Sequence, residues 1–597
     1  MSIQEITVQR DVPATMRDGT TLVSDVYRPG GEAADGEYPV LLTRMPYGKD
    51  LPLGTGYVDP VKAARRGYIV VVQDVRGRFG SEGEWSPSVN EFEDGYDTVE
   101  WAAGLPGSDG RVGMYGVSYF GMTQWQAAVM QPPSLVSMAP GITWGNYLNG
   151  VQIRGGVREL GLRLYWSEAV LALDTLIRKY RDTPEELQRL LPEQVAIIDD
   201  LPNEYAILPL EELPDPAGVV PYMFDAFEHG VTSPVWEYLN IDGRHDRVEV
   251  PTFHIGGWYD TFIGETLRQY REMKQLAAER GTQPPRLLVG PWLHGRFEST
   301  VGELDFGLAS SGLLLNYRGD LTDHHLRWFG ATVKGDEAAL EDQPPVEVFV
   351  MGENRWRGYE EWPVPGSREE RWYLHSGKAG YGANTRSGDG TLSRETPDGT
   401  GEAADRYDYD PEDPVPTLGG AVLMPAVYRA GARDQAPNED RRDVLFYTSE
   451  VLTEPYTVLG AVHATLYAAT SAPDTDFVAR LVDVYPDGRA IGVADGIVRA
   501  SARETYPEPG VVSPVEPSPV EPGRVYEYAV DLWATGLTFL PDHRIRLEVT
   551  SSSFPRWDRN LNTGEDTARS DRSEVARQQV FHDPERPSHV TLTVLDG

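Results

Sequence analysis

The sequence predicts an α/β domain that carries a helical insertion and is followed by an all-β region. Three observations predict it. Residues 38–48, 67–77 and 111–116 are apolar runs ending in polar and glycine residues. Such runs, without alternation, belong to strands buried on both faces, hence to a parallel sheet covered by helices. Residues 146–245 lose that pattern and show helical periodicity in "VRELGLRLYWSEAVLALDTLIRKYRD". From about residue 367 the runs are short and alternating, with frequent Gly, Pro and Asp, as in "DVLFYTS", "VHATLYAATS" and "HRIRLEVTSSSF". That spacing reads as a sandwich or jelly roll.

Taken in order, residues 1–145 open with strands and continue through "YPVLLTRMPYG" (38–48), "GYIVVVQDVRG" (67–77), a helix over "EFEDGYDTVEWAAGL" (91–105) and a strand at "RVGMYG" (111–116). The insertion spans 146–245. Within it "TPEELQRLL" predicts a helix start, with Thr183 as N-cap, Pro184 at the first helical position and Glu186 closing a capping box. Strands resume over 246–366, at "VEVPTFHIGGWYD" (248–260), "RLLVGPWLH" (286–294) and "PVEVFVMG" (345–352), the last strand expected of this region. A helix over "TLRQYREMKQLAAERG" lies between the first two. Residues 367–597 form the all-β domain, in which 505–523, "TYPEPGVVSPVEPSPVEPG", reads as a proline-rich loop.

Composition narrows the function classes. At 597 residues the chain exceeds one ordinary core. Its net charge of -38 repels nucleic acid and anionic membranes, so neither is expected as a partner. No run approaches the roughly 18–20 apolar residues of a membrane span. The N-terminal stretch lacks the charged and apolar regions of a secretory signal. There is no cysteine, which excludes disulfides, thiolate metal sites and a cysteine nucleophile, and which fits a cytoplasmic location. No His, Asp and Glu spacing suits a metal ion, so neither metal nor other cofactor is expected. Six of the 54 basic residues are lysine, a bias that a salt-adapted surface and a coding preference for arginine both explain. Oligomeric state is left open, a homodimer included.

Candidate chemistry sits where an α/β sheet puts it, at the C-terminal ends of strands. Ser118 follows "RVGMYGV", Asp260 follows "PTFHIGGWY" and His294 follows "RLLVGPWL". Serine is a weak nucleophile until a histidine takes its proton, and an aspartate holds that imidazole in the right tautomer. Chain order Ser, Asp, His is that of α/β-hydrolases. The elbow departs from G-x-S-x-G, because "GVSYFG" sets its second glycine, Gly121, one residue late. Read alone, Ser118 could equally be an N-cap and Asp260 a cap for the helix that follows. Asp74, also after a strand, reads as a structural partner for an arginine such as Arg76. His254 reads as a core residue, and His324 and His325 as surface or packing residues.

Five segments, "RMPYGK", "DVRGRFGSEGEW", "GRVGMYGVSYFGMTQWQAA", "GGWYDTF" and "GPWLHG", together resemble the cocaine esterase / X-Pro dipeptidyl-peptidase family of serine hydrolases. "YDYDPEDPVPTLGG" and "SSSFPRWDRNLNTG" extend the likeness through the C-terminal region and favour the bacterial cocaine-esterase branch. The resemblance implies an α/β-hydrolase domain, a helical cap and a C-terminal jelly roll that helps close the site. It implies Ser118 as nucleophile, Asp260 as acid and His294 as base, and Tyr47 as one half of the oxyanion hole with the Tyr119 amide as the other. Trp166 and Phe262 match pocket positions, Leu423 and Met424 match a hydrophobic loop, and Trp144 is a further candidate wall. One departure counts against the family's best-known aromatic ester: where a second cap tryptophan is expected, the chain reads Val151, Gln152, Ile153.

The expected activity is hydrolysis of a small-molecule carboxylic ester through an acyl-enzyme. A proline-specific dipeptidyl-peptidase and an α-amino-ester hydrolase or β-lactam acylase remain as alternatives. Both need anionic groups for a substrate ammonium, and Tyr119 and Phe120 after the serine are not acids. A non-catalytic carbohydrate-binding protein built on the jelly roll is the alternative from another class.

Overall fold

A computed structural model of the protein describes residues 5–52, 56–377, 382–384, 388, 390–400 and 404–595. A ten-stranded sheet forms its first half. From edge to edge it runs Ile6–Thr15, Thr21–Pro29, Ile69–Asp74, Tyr38–Met45, Ser108–Val117, Leu135–Gly141, Phe253–Tyr259, Arg286–Leu293, Val346–Val350 and Arg355–Tyr359. The strands from Ile69–Asp74 to Val346–Val350 are mutually parallel. Their residues are buried almost without interruption, as in IVVVQD and FHIGGWY, because helices cover both faces. Antiparallel strands close both edges. One of these, Arg355–Tyr359, follows the strand expected to be last. Its side chains are exposed or half-buried, so it lacks the apolar run by which the other strands were recognised.

Helices Glu91–Ala103, Tyr119–Val129 and Ile263–Arg280 pack on this sheet. The longest ends at Gly281, whose φ of 65° is the left-handed conformation of a helix C-terminus. Between Gly141 and Phe253 the chain leaves the sheet and builds a helical layer. There, Leu160–Leu164 runs through a π-helical stretch, Tyr165–Leu171, into Ala172–Lys179. The helix Pro184–Asp199 starts with proline as expected, but no capping box forms. Thr183 Oγ1 donates to the Tyr180 carbonyl at 3.4 Å, and Glu186 accepts from Arg189 at 2.9 Å. The Thr183 amide donates to the Tyr180 carbonyl at 3.0 Å, so Glu186 finds no free N-cap amide to accept.

Among the described residues, the C-terminal half is a twelve-stranded sheet system whose strand pairings are antiparallel apart from one short parallel one. Proline-rich 505–523 carries no strand. Residues 596–597, at the end of the run "HVTLTVLDG", lie outside the described residues. This all-β half locks onto the helical layer through buried polar contacts. Trp557 Nε1 donates to Glu159 at 2.9 Å and the Tyr506 hydroxyl to the Leu148 carbonyl at 3.0 Å. Arg154 lies 4.0 Å from the Trp533 ring centroid, the cation–π geometry of a desolvated guanidinium.

Candidate active site

Ser118 stands between the strand Ser108–Val117 and the helix Tyr119–Val129, with φ 55° and ψ -126°. That backbone is strained for a residue with a side chain. Hydrogen bonds from both sides hold it. The Ser118 amide donates to the Gly141 carbonyl, and the Ser118 carbonyl accepts from Thr143 Oγ1 at 2.7 Å. The flanking glycines are explained by contact. A Cβ on Gly116 would lie 2.3 Å from the Phe120 ring, and one on Gly121 would lie 2.7 Å from Thr143. The late glycine therefore lets the helix approach the neighbouring strand, while Phe120, in the usual glycine position, packs on Tyr47 and Tyr57.

Three strand ends bring their residues together. Ser118 Oγ lies 2.8 Å from His294 Nε2, and His294 Nδ1 lies 2.6 Å from Asp260 Oδ1. Asp260 is fully buried, and its second oxygen accepts the Phe262 amide at 3.1 Å. With Asp260 ionised, the proton of the neutral imidazole sits on Nδ1, leaving Nε2 to accept the serine hydroxyl. The Phe262 ring meets the imidazole edge-on at 5.1 Å.

Tyr47 follows the strand Tyr38–Met45. Its hydroxyl lies beside Ser118 and accepts the Trp166 indole N–H at 3.0 Å. Burial pushes this phenol up to about 12, so it keeps its proton through the neutral pH range. The Tyr119 amide is the first of its helix, one of the four that have no intrahelical acceptor. The Tyr119 phenol donates to the buried Glu91 at 3.0 Å and accepts the Ser88 amide at 2.8 Å. Glu91 in turn faces Arg44 at 2.8 Å.

A cavity of about 140 Å³ opens from Ser118. Its walls include Trp144, Trp166, Phe262 and Leu423, all singled out from sequence. Met424 faces the other way, with its Sδ 2.6 Å from where a Gly161 Cβ would be. The loop thus presents Leu423 to the cavity and Met424 to the helical layer. Sequence reasoning missed Ser88, Tyr147, Leu162, Tyr222 and Trp236 as walls, since nothing local distinguishes them from packing residues. Gln152, noted only for a missing tryptophan, borders the cavity, and its Oε1 is buried without a protein donor. No Asp or Glu occurs among the described lining residues.

The decoys separate cleanly. Asp74 does not pair with Arg76. It accepts the amides of Lys49 at 2.7 Å and Gly80 at 3.3 Å, which pins the loop that carries Tyr47. Arg76 pairs instead with Asp94 and Asp18. His254 is buried against Thr252 and burial lowers it to about 3. His324 and His325 are both buried and lowered to about 4. They are packing residues. Among the described residues, no cluster of three or more His, Cys, Asp or Glu side chains could hold a metal ion, and no helix is long and apolar enough to cross a membrane.

Comparison with known proteins agrees with this architecture. The X-Pro dipeptidyl-peptidase (S15 family) profile matches residues 18–296, and the X-Pro dipeptidyl-peptidase C-terminal non-catalytic domain matches 338–591. A cocaine esterase of Rhodococcus sp. strain MB1 Bresler is 39% identical over 594 residues, covering 98% of each chain. Among solved structures, an aminopeptidase of a marine sediment Thaumarchaeota archaeon superposes with a TM-score of 0.77 at 23% identity, over 100% of this chain and 97% of its own. An α-amino acid ester hydrolase gives 0.76 at 24%, over 99% and 97%. At these identities the two structures speak for the fold. The match along nearly the whole length to a 39% identical relative places the chain in the cocaine esterase / X-Pro dipeptidyl-peptidase family.

Proposed function

We propose that the protein is a carboxylic-ester hydrolase that forms an acyl-enzyme on Ser118 and takes esters with a neutral, compact acyl group. The hydrogen-bonded line from Ser118 through His294 to Asp260 carries the reading. His294 Nε2 removes the Ser118 proton as Oγ bonds to the ester carbonyl carbon. The oxygen that becomes negative is received by the Tyr47 hydroxyl and the Tyr119 amide. Collapse expels the alcohol, which takes the proton from His294. Water then attacks the acyl-enzyme, gives a proton to His294, and the acid leaves as Ser118 regains its proton. Asp260 keeps the imidazole oriented and stabilises it while charged.

The acyl side follows from the cavity. Its 140 Å³ is close to the roughly 150 Å³ that holds one benzene ring. The walls are mainly aromatic and aliphatic, so burial of an apolar acyl group drives binding at roughly 25 cal/mol per Å². No carboxylate among the described lining residues offers an ammonium group a partner, and burying that charge alone costs several kcal/mol. The similarity to a cocaine esterase supports an ester as the scissile bond. A small-molecule substrate, no nucleic-acid or membrane partner and a cytoplasmic setting, in keeping with the absence of cysteine, complete the reading. Light scattering decides between monomer and homodimer.

The test compares kcat/KM for p-nitrophenyl acyl esters, an X-Pro p-nitroanilide and a phenylglycine methyl ester. Including p-nitrophenyl acetate and an aliphatic methyl ester corrects for leaving-group reactivity. The neutral acyl ester is expected to lead. If the anilide or amino ester leads, the peptidase or acylase reading replaces this one. A fluorophosphonate probe is expected to label Ser118 stoichiometrically, and no labelling would favour a non-catalytic binding protein.

A further inference from the structure

Trp166 is more than a wall of the cavity. Its indole N–H points at the Tyr47 oxygen, at 3.0 Å. Its ring stacks on that of Tyr119, with centroids 6.1 Å apart and planes at 25°. One side chain from the helical layer therefore touches both residues assigned to the oxyanion hole. Trp166 lies in the π-helical stretch Tyr165–Leu171, a local widening that redirects side chains and recurs at functional sites. A second tie runs parallel to it. The fully buried Arg78 donates from Nε to the Pro46 carbonyl at 3.0 Å and from Nη1 to the Leu171 carbonyl at 3.1 Å. The residue just before Tyr47 is thus fastened to the end of the stretch that holds Trp166.

We propose that Trp166 is a positioning residue of the oxyanion hole, which orients the Tyr47 hydroxyl so that its proton faces the tetrahedral oxygen. This rests on the assignment of Tyr47 made above. A phenol has one proton to give and lone pairs to receive. While Trp166 donates to the oxygen, the O–H cannot turn towards the indole, since two donors would then face each other. The remaining direction is towards Ser118, where charge develops. The bond also polarises the phenol, and chained hydrogen bonds strengthen one another in a dry site. The catalytic half of the hole is in this way set by a helical layer outside the sheet.

The test is a double-mutant cycle on p-nitrophenyl acetate, whose small acyl group asks little of the cavity walls. Trp166→Phe removes the N–H and keeps an aromatic ring. It is expected to lower kcat on the order of tenfold, the scale of one hydrogen bond, with KM changed less than about twofold. In a Tyr47→Phe background the same change is expected to cost less than about twofold, because no hydroxyl remains to be oriented. Replacing Trp166 by 3-benzothienylalanine, which keeps the indole shape without the N–H, gives the same comparison if the phenylalanine variant misfolds. An equal fall in both backgrounds, or a rise in KM with kcat intact, would overturn the inference and leave Trp166 as a wall. A Tyr47→Phe enzyme of undiminished kcat would instead remove the oxyanion assignment, and this inference with it.

Discussion

Replacing Asp260 by asparagine exchanges one oxygen for an amino group in a fully buried site. The geometry dictates which one. One carboxylate oxygen accepts the Phe262 amide at 3.1 Å, while the other faces His294 Nδ1 at 2.6 Å. In Asp260→Asn the single oxygen is held by the backbone amide, because an amino group there would oppose another N–H. The amino group therefore faces His294, and Nδ1 can accept it only by giving up its proton. The proton moves to Nε2, the nitrogen that has to take the Ser118 hydroxyl proton. The imidazole is in place but in the wrong tautomer. A loss of about 10⁴ in kcat is expected, equivalent to about 5.4 kcal/mol at 1.36 kcal/mol per tenfold. The assay is kcat on p-nitrophenyl butyrate, with circular dichroism and a thermal melt to show that the fold persists. Fluorophosphonate labelling of Ser118 should slow sharply as well. A folded variant that loses less than about tenfold would refute the reasoning. Asp260 would then be the helix cap that its position after a strand also allows, and the imidazole would be oriented by something else.

Three further outcomes are expected. Tyr47→Phe should lower kcat on the order of 10²- to 10³-fold with little change in KM, the usual cost of one oxyanion donor; a fall below about threefold in steady-state kinetics makes Tyr47 a packing residue. Gln152→Leu should shift selectivity from hydroxylated acyl esters towards their apolar parents by roughly three- to tenfold, the value of one hydrogen bond to an otherwise unpaired Oε1, and an unchanged kcat/KM ratio across matched pairs counts against it. Glu168 is buried, accepts from Gln194 at 2.6 Å, and burial raises its carboxyl to about 7. The unfolded chain ionises this group near the ordinary glutamate value of 4.5, so its contribution to stability falls as pH rises from there through about 7. Glu168→Gln should therefore melt higher than the parent at pH 8 and show no such advantage near pH 4.5; calorimetry showing equal melting temperatures at pH 8 contradicts this.

The features legible in the sequence are those whose signal is local. Buried parallel strands read as unbroken apolar runs because both of their faces are covered, and Ser118, Asp260 and His294 stand out as candidates because each follows such a run. Gly116 and Gly121 were visible as an imperfect elbow. Arg355–Tyr359 escaped because an exposed edge strand needs no apolar run, and the Thr183 capping box failed because the Thr183 amide and hydroxyl both donate to the Tyr180 carbonyl. The order of motifs, more than any single one, supported the functional reading. Which side chains share a space is set by the folded chain. Trp166 and Tyr47 are 119 positions apart, and Leu423 reaches the cavity from the all-β half. An aromatic residue in a helix has the same local pattern whether it packs a core, walls a pocket or donates to a phenol. Periodicity records burial, which is a property of the residue and its neighbours in sequence. Partnership is set by how separate elements dock, and that information is spread over every contact between them.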